Sequence, residues 1–155
     1  MKIAVCDDDR TTREQIASLI REQKPDAEVI TFEAGEEMIK SQESFEISFL
    51  DVEMKETSGI DVAKHMREEQ EKRGKDKSII IFVTGYREYM EDAFDVNAFH
   101  YLLKPIDEKK FNTVFNRALK EVSMKTKQEG LSVIVKNNGM QKKVSCVIQF
   151  FPARI

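Results

Sequence analysis

Four short apolar runs, each cut off by a polar or charged residue, set the pattern of this chain. Ile3-Ala4-Val5-Cys6 stops at Asp7-Asp8, and Ile47-Ser48-Phe49-Leu50 stops at Asp51. Residues 79–83 stop at Thr84, and residues 99–103 at Lys104, with Pro105 directly after it. Continuous runs of this length are the signature of parallel strands buried on both faces. A further run, Glu28–Phe32, is expected as the second strand, leading into a helix. Helical patterns lie between the runs. The first is expected to open at Thr11, with Glu14 at a capping-box spacing and Ile16, Leu19 and Ile20 at helical intervals. A second is expected over residues 34–40. A third begins after Ser58-Gly59, with Ile60, Ala63 and Met66 on one face, and a short fourth covers residues 88–94. The fifth carries the clearest stripe: Phe111, Val114, Phe115, Ala118, Leu119 and Val122.

Five strand–helix alternations predict an α/β fold, a doubly wound five-stranded parallel sheet. Right-handed crossovers leave few arrangements, and the order 2-1-3-4-5 is the expected one. That order places its switch point between strands one and three. Asp7 and Asp8 then stand beside Asp51, in the crevice at the carboxyl ends of the strands where such sheets bind ligands. A change of pattern begins after Ser123. Residues 125–130 read as a linker. Residues 131–135 read as a strand, Asn138-Gly139 as a hairpin turn and residues 142–151 as its return. So small an appendage needs a larger body or a partner to fold.

The bulk composition narrows the class without naming a function. A chain of 155 residues, 41% hydrophobic and 34% charged, is an ordinary globular composition. No apolar run approaches the roughly 20 residues of a membrane-spanning helix. The opening segment is too short in its apolar part for a secretory signal. With Cys6 and Cys146 as the two cysteines, no disulfide framework is indicated, and the expected location is the cytoplasm. The net charge of −3 hides an asymmetry. Residues 1–103 carry 14 Lys/Arg against 24 Asp/Glu, and residues 104–155 carry 11 against 4. A basic end suits nucleic acid or an acidic partner, and equally a solvated helix face.

The strand ends carry the chemistry. Three carboxylates in one crevice repel each other, so either their pKa values rise or a cation joins them. All-oxygen ligands suit Mg²⁺ or Mn²⁺, which leave positions open for a phosphoryl oxygen. Lys104 and Thr84 supply the ammonium and the hydroxyl that the remaining phosphoryl oxygens need. Each residue alone has a plainer explanation: an acidic turn before a helix, a solvated lysine, a threonine cap. Their meeting at strand ends favours the chemical one. No Gly-rich nucleotide loop is present, and His65 and His100 fall inside a helix and a strand. A carboxylate nucleophile remains, with Asp51 the best placed and Asp7 and Asp8 better used on metal.

Asp7-Asp8, Asp51, Thr84 and Lys104-Pro105, in this order and spacing, resemble the receiver domain of two-component response regulators, a flavodoxin-like fold. The resemblance covers about residues 1–124. It implies that Asp51 accepts phosphate from a sensor histidine kinase, with Lys104 and Thr84 completing the reactive group. It implies that Asp8, Asp51 and the backbone carbonyl of Glu53 bind Mg²⁺ (or Mn²⁺), with Asp7 helping through a water. Thr84 and Tyr101 become the switch pair, although Tyr101 also fits an ordinary half-buried strand aromatic. Beyond catalysing its own phosphorylation and dephosphorylation, such a domain is not an enzyme. It also implies a homodimer through helix four, strand five and helix five, and no membrane contact.

Val133 to Gly139, followed by Met140 to Val144, resembles the opening hairpin of LytTR-type DNA-binding domains. Residues 131–155 are therefore expected to be part of such a domain, with DNA binding in a full-length form controlling transcription. Two departures stand out. Residues 55–59 replace the family's Pro-Gly loop, and the likeness ends after Val144. Two alternatives of other classes remain at this level. One is a metal-dependent phosphohydrolase with an aspartyl-phosphate intermediate, which would want an acid-base Asp where Glu53 stands. The other is a flavodoxin-like binding module, disfavoured by the acidic crevice.

Overall fold

Asp7, Asp51, Thr84 and Lys104 are brought together by the way five strands line up. The computed structural model describes residues 1–136, with side chains to residue 127. The strands are β1 (Lys2–Cys6), β2 (Glu28–Phe32), β3 (Ile47–Leu50), β4 (Ile79–Thr84) and β5 (His100–Leu103). All pair in parallel, in the order β2-β1-β3-β4-β5. The central strands β3 and β4 are buried at every position, and β1 at all but its first. This is the continuous apolar signature expected of strands covered on both faces.

The helices are α1 (Arg10–Gln23), α2 (Gly35–Ser41), α3 (Gly59–Lys72), α4 (Met90–Asp95) and α5 (Glu108–Lys136). Side chains alternate across a strand, so one sheet yields two cores. On one face Ala4, Cys6, Leu50, Ile80 and Phe82 pack with Met38 of α2, Val62 and Ala63 of α3, and Ala93 of α4. On the other, Phe49 stacks on Phe111 of α5 with centroids 5.2 Å apart, and Phe115 lies 5.9 Å from the same ring. The buried Ile16 and Ile20 of α1 stand outside the first cluster. Aromatic pairs of this kind add about 1 kcal/mol beyond their buried area.

The local details correct several expectations. α1 is capped by Asp9, not Thr11: the Asp9 carboxylate accepts from the Thr11 amide at 3.2 Å and from the Thr12 hydroxyl at 2.6 Å. Asp is at least as good a cap as Thr, and Glu14, expected in a capping box, instead pairs with Arg10 at 2.8 Å. α3 is capped as its sequence suggests, with the Ser58 hydroxyl accepting from the Asp61 amide at 3.1 Å. α4 starts two residues later than expected, after a turn in which the Met90 amide donates to the Arg87 carbonyl.

The chain divides into two units, Met1–Ala118 and Leu119–Ile155. The first holds the sheet, α1 to α4 and the opening turns of α5. The second is described as helix up to Lys136. Helix therefore runs through residues 125–130, expected as a linker, and through 131–135, expected as a strand. Val133, Ile134 and Val135 favour strands chiefly where neighbouring strands give them something to pack on. A helix already nucleated gains one hydrogen bond per added residue, against which Gly130 costs about 1 kcal/mol. The Asn138-Gly139 turn and the return strand at 142–151 lie outside the described residues. Among the described residues, no helix is long and apolar enough to cross a membrane.

Candidate functional site

The site is built from strand ends held in register. Cys6 pairs with Leu50 across β1 and β3, so Asp7 and Asp51 leave the sheet side by side. The Asp51 amide donates to the Cys6 carbonyl at 2.9 Å, and the Asp7 amide to Phe32 at 3.1 Å. Thr84 pairs with Leu103, and the Lys104 amide donates to the Thr84 carbonyl at 2.8 Å, which carries Lys104 to the same edge. The Lys104–Pro105 peptide bond is cis.

At this edge the Lys104 ammonium bridges two carboxylates. Its Nζ lies 2.9 Å from Asp7 Oδ2 and 3.0 Å from Asp51 Oδ2. Asp7 and Asp51 are both buried, while Asp8 is exposed at the rim. Carboxylate oxygens of the three aspartates lie within 4.8 Å of one another. Burial pushes the Asp7 carboxyl above its ordinary value, reinforced by the charge of Asp51 and opposed by Lys104 and the Asp9 amide. Burial alone would pull Lys104 down. Its bonds to Asp7 and Asp51, with their charges, more than offset this, so it is held above its ordinary value as a firm ammonium. Three carboxylates against one ammonium leave two negative charges in excess. That donor set, all oxygen and open at Asp8, fits a hard divalent cation.

The Thr84 hydroxyl is the second informative group. It is fully buried, and its Oγ1 has no hydrogen-bond partner. Leaving a buried hydroxyl unpaired costs about 1–3 kcal/mol, so such a group asks for an explanation. An oxygen-rich ligand beside Asp51 would supply the missing acceptor.

Two backbone features hold Asp51 in place. The Gly59 amide donates to the Val52 carbonyl at 2.9 Å. A Cβ on Gly59 would lie 2.0 Å from the Asp51 carbonyl oxygen, so this helix start fits only glycine. Thus Gly59, in the segment lacking the Pro-Gly loop, brings α3 directly against the Asp51 backbone.

The structure places Glu53 and Tyr101 near this edge, but not among the bridged carboxylates. Glu53 is exposed, and its Oε1 accepts from the Tyr89 hydroxyl at 2.9 Å. That bond, and the charge behind it, push the Tyr89 phenol up. Tyr101 is half-buried against the core, and its hydroxyl donates to the Tyr86 carbonyl. His100 lies off the site, its Nδ1 accepting from the Tyr101 amide at 2.9 Å. Cys6 is a buried thiol pushed up to about 12, foremost by burial, and so is inert as a nucleophile.

Sequence reasoning missed two residues. Arg13 donates from Nη1 to the Asp7 carbonyl at 2.7 Å and reaches Glu33 with Nη2 at 3.6 Å, tying the ends of β1 and β2 together. Its signal was present: a basic residue in the helical stripe of Ile16, Ala17 and Ile20. Tyr89 had no comparable signal, because its partner Glu53 is 36 positions away.

Comparison with known proteins agrees with this geometry. The family described as response regulator receiver domain matches residues 3–116. The sensory transduction protein LytT of Oceanobacillus iheyensis is 35% identical over 126 residues, covering 79% of this chain and 50% of that protein. The transcriptional regulatory protein BtsR of Salmonella typhi is 30% identical over 149 residues, covering 94% and 58%. This chain thus spans about half the length of those relatives. Among solved structures, the response regulator TrrA of Thermotoga maritima in complex with Mg²⁺-BeF superposes with a TM-score of 0.64 at 27% identity, over 76% of this chain and 97% of that one.

Proposed function

The chain belongs to the response regulator receiver domain family, and on that premise we propose that Asp51 is its phosphoacceptor, loaded by a sensor histidine kinase. One observation carries the assignment: a single ammonium, Lys104, pins Asp51 beside Asp7 next to a buried Thr84 hydroxyl that has no partner. A carboxylate oxygen of Asp51 bonds to phosphorus as the bond from phosphorus to the donor's nitrogen breaks. The electron pair stays on that nitrogen, which then takes a proton from solvent. Lys104 meets the charge on the transferred oxygens, and the Thr84 hydroxyl turns its free proton towards one of them.

Asp8 and Asp51, with the Glu53 backbone carbonyl and Asp7 in support, would hold Mg²⁺ or Mn²⁺. Bound there, a divalent cation neutralises charge on the phosphoryl oxygens. Thr84 and Tyr101 form the switch pair in this reading: once Thr84 has an acceptor, the segment after β4 shifts and Tyr101 exchanges its bond to the Tyr86 carbonyl. The output is transcriptional. DNA contact belongs to a LytTR-type output domain following the receiver, and a dimer through α4, β5 and α5 is its active arrangement. The phosphohydrolase alternative gains nothing from the geometry, since the Glu53 carboxylate is bonded to Tyr89 and not to a group at the reacting centre.

Incubation with acetyl phosphate and Mg²⁺, followed by intact-mass measurement, tests the assignment. One phosphoryl group should add to the wild-type chain and none to Asp51→Asn. An equal adduct on both would place the nucleophile elsewhere.

A further inference from the structure

Glu53 stands two residues beyond Asp51 at the rim of the crevice, where a free carboxylate would lower the local potential just as an anionic phosphodonor arrives. It is not free. Its Oε1 accepts from the Tyr89 hydroxyl at 2.9 Å, across from the β3–α3 connection to the start of α4. Tyr89 is itself braced. Its ring packs on the apolar cluster beneath α3 and α4 and meets the Tyr86 ring edge-on, with centroids 6.3 Å apart. Tyr86 is held in turn through its carbonyl by the Tyr101 hydroxyl. A flexible, exposed glutamate is thus fastened to a ring fixed on two sides.

We propose that Tyr89 is a positioning residue for phosphoryl entry: its hydroxyl holds the Glu53 carboxylate toward α4 and so keeps a negative charge off the approach to Asp51. The inference rests on Asp51 being the phosphoacceptor. The physical reason is one of sign. The crevice already carries an excess of negative charge, and the incoming group is an anion. One more carboxylate moving over Asp51 adds unit-charge repulsion at short range in a partly dehydrated setting. Glu53 is long enough to swing either way, so its rotamer decides the matter. Tyr89 holds the bonded rotamer, on the same side as the Tyr86 phenol, which also feels the Glu53 charge. The latch also joins two parts of the molecule: whatever shifts the Tyr86–Tyr89 segment changes how exposed Asp51 is to an anionic donor.

The test compares initial rates of phosphorylation by acetyl phosphate, at fixed Mg²⁺, in wild type, Tyr89→Phe, Glu53→Gln and the double variant. Tyr89→Phe keeps the ring and its packing while removing the hydroxyl. It should slow phosphorylation about threefold to tenfold, the scale of one screened unit charge. The deficit should shrink as salt rises. In the Glu53→Gln background, Tyr89→Phe should change nothing. An undiminished rate in Tyr89→Phe, or the same deficit with and without the Glu53 charge, would overturn the proposal; a loss of packing would give the second pattern. A second readout separates this inference from the phosphoacceptor assignment. In carbon-detected NMR of the unphosphorylated protein, the Glu53 carboxyl signal should move in Tyr89→Phe, and an unmoved signal would refute the latch even if Asp51 takes phosphate normally. A wild-type chain that takes no phosphoryl group, with the signal moving as expected, would overturn the entry role and the Asp51 assignment and leave the hydrogen bond standing.

Discussion

At Asp7, burial and charge pull one carboxylate in opposite directions. Burial and the neighbouring Asp51 favour the protonated form, and the Lys104 ammonium 2.9 Å away favours the charged one. Burial prevails, so the folded-state pKa lies above the ordinary value of 3.8. The native state then binds more protons than the unfolded chain between those two values. The stability contributed is fully present below pH 3.8 and lost as pH rises through the folded value. At neutral pH without metal, Asp7 ionised is therefore a cost, about 1.4 kcal/mol for each pKa unit of elevation. Asp7→Asn should raise the metal-free melting temperature at pH 7 and give no such gain at pH 3, read by thermal denaturation at both. The strand-end side chains of the candidate site were legible in the sequence because each ends an apolar run, and parallel strands bring their ends to one edge. The partners that fix them were not. Arg13 and Tyr89 act through contacts set by tertiary packing, and no local spacing encodes a hydrogen bond from position 89 to position 53.

Among the elements, the strands were legible almost to the residue, because continuous burial leaves an uninterrupted apolar run. Helix ends were harder. Asp9 and Thr11 are both capable caps two residues apart, and only the turn after β1 decides between them. The length of α5 shows the limit of propensity: residues 131–135 carry a strand-like composition in a segment that continues as helix. Gly59 is the feature of an element with the sharpest consequence. Its missing Cβ lets the first turn of α3 lie against the Asp51 carbonyl, at a distance no side chain tolerates. Gly59→Ala should cost about 3 kcal/mol in urea denaturation, the upper range for overpacking a tight site. The strain falls on the Asp51 backbone itself, so phosphorylation should slow as well. A variant of unchanged stability would show that α3 can retreat from Asp51 without loss.

For the molecule entire, three acidic side chains from two strands form a site that exists only when the sheet is assembled. A cation bound there favours the folded state by mass action, about 2.7 kcal/mol at a hundredfold excess over its dissociation constant. Mg²⁺ should therefore raise the melting temperature of the wild-type chain, and Asp8→Ala should lose most of that rise. An undiminished effect in Asp8→Ala would remove Asp8 from the metal site. The order of the sheet was predictable from the alternation of strands and helices and the handedness of their connections. The helical conformation of residues 125–136 was not, since β-branched residues follow their context more than an intrinsic preference.

Whether Asp51 carries the phosphoryl group is tested most directly by trapping the adduct. Borohydride reduces an aspartyl phosphate to homoserine, which peptide mass mapping places at a single position. After phosphorylation with acetyl phosphate and Mg²⁺, reduction should leave homoserine at position 51 and an unaltered aspartate at positions 7 and 8. Homoserine at position 7 or 8 with Asp51 intact, or a phosphoryl group on histidine, would contradict the assignment.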